Sequence, residues 1–417
     1  MGASRRRGPA CSHPATGCLS AWADASRHDV VRAWRRAPQA GAGIRVSVID
    51  TGLSHYQSQL NTFFATGQSA GRTRRVANTR QTPNTPVAWH DDHGHGTGII
   101  GLAAAPQDGR SLTGIAYRAD VHAIRAIGDV VVYSNDVNAD IITAVQLAGA
   151  EENIINLAFG SPYHYNSLED AINNVIAMRW DQKVMFIGAA GTQNAVTNFF
   201  TYDRVVFPAS LPNVIAVTGV VNGPVDRCRN CHSGGKVEFS AYTCTETTPV
   251  NDGDSLRLIG GSSGATASIS GIAALLWGAN PTWRRDDVLA AMRRGSVLTA
   301  KDPQMGWGAI NAYKALGGLY AVSMAAPGET ITSSGTYTWR LQRNGGTGPF
   351  TYQWSHGTPS GDEMSLYVDT SGQSYELTVQ GCATDAFDGV QACTTSTVYV
   401  QGDEGGMCGP GLICMGD

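Results

Sequence analysis

Between Gly43 and Leu316, short runs of apolar and β-branched residues recur at intervals filled by helical stretches, and this alternation constrains the fold more than any other feature. The candidate strands are Ile44–Ile49, Val121–Ile127, Ile154–Phe159, Val184–Gly188 and Val214–Val220. A strand with one face in water alternates apolar and polar residues, whereas several of these are apolar throughout, so both faces must be covered. Strand and helix in alternation supply that cover, which predicts an α/β domain built on a parallel sheet with helices on both faces.

After Leu316 the texture changes to Thr/Ser/Tyr-rich alternation, as in Thr336-Tyr337-Thr338-Trp339-Arg340-Leu341 and Tyr375-Glu376-Leu377-Thr378-Val379, broken by Gly345-Gly346 and Pro359-Ser360-Gly361. Period-two strands at this spacing predict a small all-β sandwich, with Trp354 as a core aromatic. At 417 residues the chain is long enough for both. The expected organisation is a partly disordered N-terminal segment over 1–40, the α/β domain over 41–317, the sandwich over 318–400 and a Gly/Cys-containing tail over 401–417.

Composition narrows the function classes. Lys+Arg 30 against Asp+Glu 34 leaves a net charge of −4, which argues against a general basic surface for nucleic acid. The run Ser4-Arg5-Arg6-Arg7 in a Gly/Pro/Ala-rich context reads as a solvated end. Apolar stretches such as Gly271 to Ala279 are far shorter than the ~18 residues of a membrane span. The nine cysteines include three close pairs, Cys11/Cys18, Cys382/Cys393 and Cys408/Cys414, which read as local disulfides and hence as an oxidising, secreted or extracellular location. Cys228, Cys231 and Cys244 remain, with two of them expected in a disulfide and a zinc site using all three as the alternative. No apolar signal-peptide core follows the arginines.

Three segments place a reactive side chain at a strand end or a helix start. Val46-Ser47-Val48-Ile49-Asp50-Thr51-Gly52 delivers a carboxylate at the carboxyl edge of a buried strand, where open α/β sheets bind ligands. Asp92-His93-Gly94-His95-Gly96-Thr97-Gly98 precedes an apolar helix, its glycines allowing tight turns around the imidazoles. Asp91, Asp92, His93 and His95 also suit a zinc ion, so a metal site stands beside a solvated loop as an alternative reading. Gly260-Gly261-Ser262-Ser263-Gly264-Ala265 opens a helix of small and apolar residues, where free N–H groups and the dipole favour negative charge; an ordinary serine cap would look the same.

Taken together, Asp, His and Ser in this order resemble the subtilisin-like serine peptidases, the subtilases. The resemblance spans residues 41–317 and adds Ile155-Asn156-Leu157-Ala158-Phe159-Gly160, Ala189-Ala190-Gly191, Phe207-Pro208-Ala209 and Gly306-Trp307-Gly308-Ala309-Ile310-Asn311. It implies a serine endopeptidase in which Ser263 is the nucleophile, His95 the general base and Asp50 its orienting carboxylate. It implies substrate-backbone binding by Asn156, Leu157, Ala158, Phe159, Gly160, Ala190 and Gly191. It needs no cofactor for the chemistry and no catalytic metal, though it allows a structural calcium ion with unassigned ligands. Polypeptides are the implied substrates, and a monomer is expected. The second domain resembles the Ig-like or PKD-like modules of secreted bacterial enzymes.

The chain departs from the family's pattern at its oxyanion site, where the expected Asn is Thr192, with Asn194 two residues on. Losing such a donor costs about 10²- to 10³-fold in kcat, a magnitude that itself comes from a subtilisin. Gly98 stands where a second His is expected, and Ala267-Ser268 stand where Pro-His is expected. A catalytically impaired scaffold is therefore the alternative to an active enzyme. Gly260-Gly261-Ser262-Ser263-Gly264 also fits the G-x-S-x-G elbow with Ser262 as nucleophile, but that reading needs a later acid and base, and the only later histidine is His356. Cys228-Arg229-Asn230-Cys231-His232 matches the c-type haem pattern without a visible axial partner.

Overall fold

The computed structural model describes residues 27–54, 75–80, 90–107, 113–132, 135–151, 153–193, 204–223, 226–243 and 259–403. The chain divides into two compact units, residues 1–316 and 317–417.

In the first unit, β1 (Arg45–Asp50), β2 (Arg75–Asn78), β3 (Asp120–Arg125), β4 (Ile154–Leu157), β5 (Met185–Ala189), β6 (Val214–Val220) and β7 (Val237–Tyr242) form one sheet in the order β2-β3-β1-β4-β5-β6-β7. Every pairing is parallel. The five strands expected from apolar runs are present within a few residues. β2 and β7 lie at the two edges, and neither was in the expected set: β2 is a four-residue strand bounded by arginines and Asn, and β7 carries Glu238 and Ser240. Such composition carries no continuous apolar signal. The helices are α1 (Val30–Arg36), α2 (His95–Ala104), α3 (Asn135–Gly149), α4 (Asn166–Met178), α5 (Gly261–Ala279), α6 (Arg285–Gly295) and α7 (Ala312–Ala315).

From β1 the chain runs to the edge strand β2, returns through β3, and then crosses to the other side of β1 for β4 to β7, so the winding direction switches beside β1. The carboxyl edge at such a switch point is where doubly wound sheets bind ligands, and β1 ends there with Asp50. On one face α3 and α4 pack with Ile124, Ile155 and Phe186 into a core of fully buried aliphatic residues. The other face is crossed by α5, buried along nearly its whole length. Its glycines and alanines make that passage feasible: a Cβ on Gly278 would stand 2.8 Å from the Gly41 backbone.

The second unit contains the sheets β12-β13-β10-β8 and β11-β14-β15-β9, where β8 is Ala321–Ala325, β9 Thr330–Ile331, β10 Gly335–Asn344, β11 Phe350–Trp354, β12 Thr358–Ser360, β13 Glu363–Val368, β14 Tyr375–Asp385 and β15 Gln391–Val400. Trp339, Met364 and Val368 from one sheet share a core with Val379, Val398 and Val400 from the other. The fully buried tryptophan is Trp339; Trp354 is only partly covered, because its strand carries it toward the end of the sheet and its Nε1–H donates to the Gly361 carbonyl at 3.3 Å. Cys382 and Cys393 face each other across β14 and β15 and are disulfide-bonded.

Candidate active site

β1 brings Asp50, fully buried, to the sheet's carboxyl edge, and α2 begins with His95. His95 Nδ1 lies 2.9 and 3.0 Å from the two Asp50 carboxylate oxygens, and the Thr51 N–H donates to the same carboxylate at 2.7 Å. An imidazole whose Nδ1–H is donated to a buried carboxylate keeps Nε2 as the atom that exchanges a proton. Gly96 is required at the crossing of α2 and β1, since a Cβ there would stand 2.5 Å from the Gly52 carbonyl oxygen.

The turn ahead of His95 is organised by Asp91, whose buried carboxylate accepts from the Thr51 hydroxyl at 2.8 Å, the His93 N–H at 3.1 Å, the Thr97 N–H at 2.8 Å and the Thr97 hydroxyl at 2.6 Å. Thr51 Oγ1 also accepts the Gly96 N–H at 2.9 Å, so β1, the turn and the first turn of α2 are tied at one point. This placement runs against the metal reading. Asp91 is saturated by donors, Asp92 pairs with Arg125 at 2.9 Å, and His95 faces Asp50. Among the described residues no group of three or more His, Cys, Asp or Glu is placed to hold a metal ion. An Asp accepting amides two and three residues on is a recognisable turn signature, and it was the available signal for this role.

Helix α5 starts at Gly261, which puts both serines in its first turn. They have different environments. Ser262 is 1% exposed and its Oγ accepts the Gly191 N–H at 3.2 Å, whereas Ser263 is partly exposed and its hydroxyl donates to the Ala158 carbonyl at 3.1 Å. The elbow reading with Ser262 as nucleophile therefore fails on burial. The Ser263 N–H belongs to the first-turn amides that have no intrahelical acceptor.

Thr192 follows β5 and lies against this helix start. Its Oγ1 accepts the Ser262 N–H at 2.9 Å and lies 2.9 Å from Ser262 Oγ, acting as a cap supplied from another element, since the N-cap residue Gly260 makes no side-chain cap. Gly261 has φ 65°, and a Cβ on it would stand 2.5 Å from Thr192 Oγ1. Ile259 fills the space a side chain on Gly98 would need, so the expected second His has no room.

Other anticipated residues serve partly in packing. Asn156 is fully buried and its Nδ2 donates to Ser270 Oγ at 2.9 Å, and Leu157 and Phe159 are core residues. Gly160 pairs with the chain itself, donating to the Val130 carbonyl at 3.0 Å and accepting from Val132 at 2.9 Å. Ala190 donates to the Val217 carbonyl and accepts from Val206, and the Gly191 carbonyl accepts from His232. Cys228 and Cys231 are disulfide-bonded, which removes the thiolates a zinc site would need. Asn194, Cys11, Cys18, Cys244, Cys408 and Cys414 lie outside the described residues.

Comparison with known proteins agrees with this geometry. The minor extracellular protease Epr of Bacillus subtilis is 27% identical over 294 residues, covering 69% of this chain and 40% of that protein. The M-protease of Shouchella clausii is 26% identical over 275 residues, covering 65% of this chain and 64% of its own. Subtilisin BL of Lederbergia lenta is 26% identical over 275 residues, covering 65% of this chain and 90% of its own. The chain thus spans less than two thirds of the length of two of these relatives. Residues 41–308 match the subtilase family, more than half of the 417 residues, and the chain belongs to that family.

Proposed function

We propose that the protein is a serine endopeptidase acting on polypeptides, with Ser263 as nucleophile, His95 as general base and Asp50 as the carboxylate that orients the imidazole. The observation that carries this reading is the His95–Asp50 contact at 2.9 Å on the sheet's switch-point edge, with one accessible serine, Ser263, opening the helix behind it. A neutral hydroxyl is a poor nucleophile and needs a base to accept its proton. His95 Nε2 takes the proton as Ser263 Oγ attacks the scissile carbonyl, Asp50 stabilises the imidazolium, and the proton passes to the leaving amine. The tetrahedral oxygen is stabilised by the Ser263 N–H at the positive end of α5 and by a donor from the Thr192–Asn194 segment.

The relatives' names include an extracellular protease and several alkaline proteases, in keeping with a secreted enzyme with disulfides. The second unit fits an Ig-like or PKD-like module that tethers or positions the enzyme. The described residues assign no calcium ligands, and no step needs the ion.

Fluorophosphonate labelling together with a casein assay tests the reading: label on Ser263 and cleavage of casein are expected. A second reading has a specific observation behind it. Residue 192 carries a hydroxyl that accepts the Ser262 N–H and has no side-chain amide to donate at that position, as in an impaired scaffold. Labelling without turnover would select it.

A further inference from the structure

The segment that carries Thr192 is held by a loop with no reactive side chain of the proposed triad. Residues 226–233 precede β7, and within them the Cys231 N–H donates to the Cys228 carbonyl at 3.0 Å across a turn closed by the Cys228–Cys231 disulfide. Both cysteines are buried, 1% and 0% exposed. The far arm of the turn lies antiparallel to residues 191–193: the Gln193 N–H donates to the Asn230 carbonyl at 2.8 Å, the His232 N–H donates to the Gly191 carbonyl at 2.9 Å, and Thr192 faces Cys231.

The loop is fixed from below by the Cys228 N–H, which donates to the Gly219 carbonyl at 2.9 Å, and by the Thr218 hydroxyl, which donates to the His232 carbonyl. A Cβ on Gly219 would stand 2.7 Å from Cys231 Sγ and 3.2 Å from the Gly261 carbonyl oxygen. One on Gly191 would stand 2.8 Å from His232 Nδ1. Direct contacts therefore run from the disulfide through Cys231 and His232 to Gly191 and Thr192, and from Thr192 to Ser262 beside Ser263.

We propose that the Cys228–Cys231 loop is a positioning element for the reaction at Ser263, fixing the Gly191–Gln193 segment against the start of α5. The inference rests on the peptidase reading above. Two backbone hydrogen bonds do not by themselves outweigh the entropy of ordering the loop, and the cross-link restricts the open alternatives. Because donors at this site act on transition-state charge, loosening the loop lowers kcat and leaves KM nearly unchanged.

The test is the full-length Cys228→Ala/Cys231→Ala variant, assayed on a small peptide amide, with thermal melting and fluorophosphonate labelling alongside. The expected result is kcat reduced about 10- to 100-fold, KM within twofold, labelling still complete, and a native melt. The Cys382→Ala/Cys393→Ala variant is the control and keeps its kcat. If the double variant does not fold, the same assay is run on that control protein treated with a dithiol below its melting temperature. The dithiol gives two electrons and two protons to the disulfide, yielding two thiols and its own cyclic disulfide. In one aliquot alkylation maps the freed thiols to Cys228 and Cys231, and in a parallel unalkylated aliquot kcat should fall and recover when oxidised glutathione takes back the two electrons and two protons. An unchanged kcat, a rise confined to KM, or an irreversible loss would overturn the inference. Absence of labelling and turnover in the unmodified protein would instead defeat the peptidase reading.

Discussion

Two adjacent serines in one helical turn are separated by burial, and that difference decides which can act. Ser263→Ala should bring casein cleavage to background while far-UV circular dichroism stays native, because one hydroxyl is removed without a change of shape. Ser262→Ala should leave a working enzyme with kcat lowered about tenfold, since it removes the hydroxyl that meets Thr192 and the Gly191 N–H but not the nucleophile. Equal loss in both variants would show that Ser262 does more than position. Thr192 supplies the next distinction. Thr192→Val leaves the Ser262 N–H without its cap and should cost about 10- to 100-fold in kcat, whereas Thr192→Ser keeps the oxygen and should stay within a fewfold of native. Steady-state kinetics on one peptide amide would check both pairs.

Buried polar groups join separate elements of the first unit. His28, just before α1, is fully buried; its Nδ1–H donates to the Ile310 carbonyl at 2.7 Å, and its Nε2 accepts the Tyr242 N–H of β7 at 3.0 Å. Burial lowers its pKa from the ordinary 6.5 to about 4, with the Arg27 charge acting in the same direction against the Ile310 hydrogen bond. The unfolded chain then binds the proton more tightly than the folded one. The resulting stabilisation is full above pH 6.5 and is lost as pH falls toward 4, about 3 kcal/mol at most. Urea titrations at pH 7.5 and 4.5 should show this loss, and His28→Gln should show a smaller difference between the two. Asp91 joins β1 to α2 through the donors it accepts. Asp91→Ala should destabilise the fold by about 3 kcal/mol and lower kcat, as the turn that aims His95 loses its common acceptor.

The whole chain combines a parallel α/β unit with a sandwich whose core is its own, built around Trp339. A chain ending at Leu316 should fold and cleave a small peptide at close to the native kcat, because the residues assigned to chemistry all precede that point. Collapse of peptide cleavage on this truncation would place the second unit within the catalytic machinery. Among the described residues no helix is long and apolar enough to cross a membrane.

The sequence by itself determined the class of the fold, because strands such as Val214–Val220 are apolar on both faces and can exist only between helices. It also marked Asp50, His95 and the Ser262-Ser263 pair as candidates, since each lies in a short glycine-bearing segment. It did not determine β2 or β7: in β7 the buried Ser240 is accommodated by donating to the Met305 carbonyl and Glu238 by Arg293 and Lys301, partners that only the folded chain brings together. Resemblance favoured Ser263 over Ser262, but the local pattern did not show their different burial, nor that Thr192, some 70 residues away, meets the Ser262 hydroxyl. Nor did it show that Asp91 organises the His95 turn, because its donors come from Thr51 and Thr97 on separate elements. Local pattern carries what one segment does alone; the remaining distinctions arise where hydrogen bonds and close contacts join segments that only the folded chain brings together.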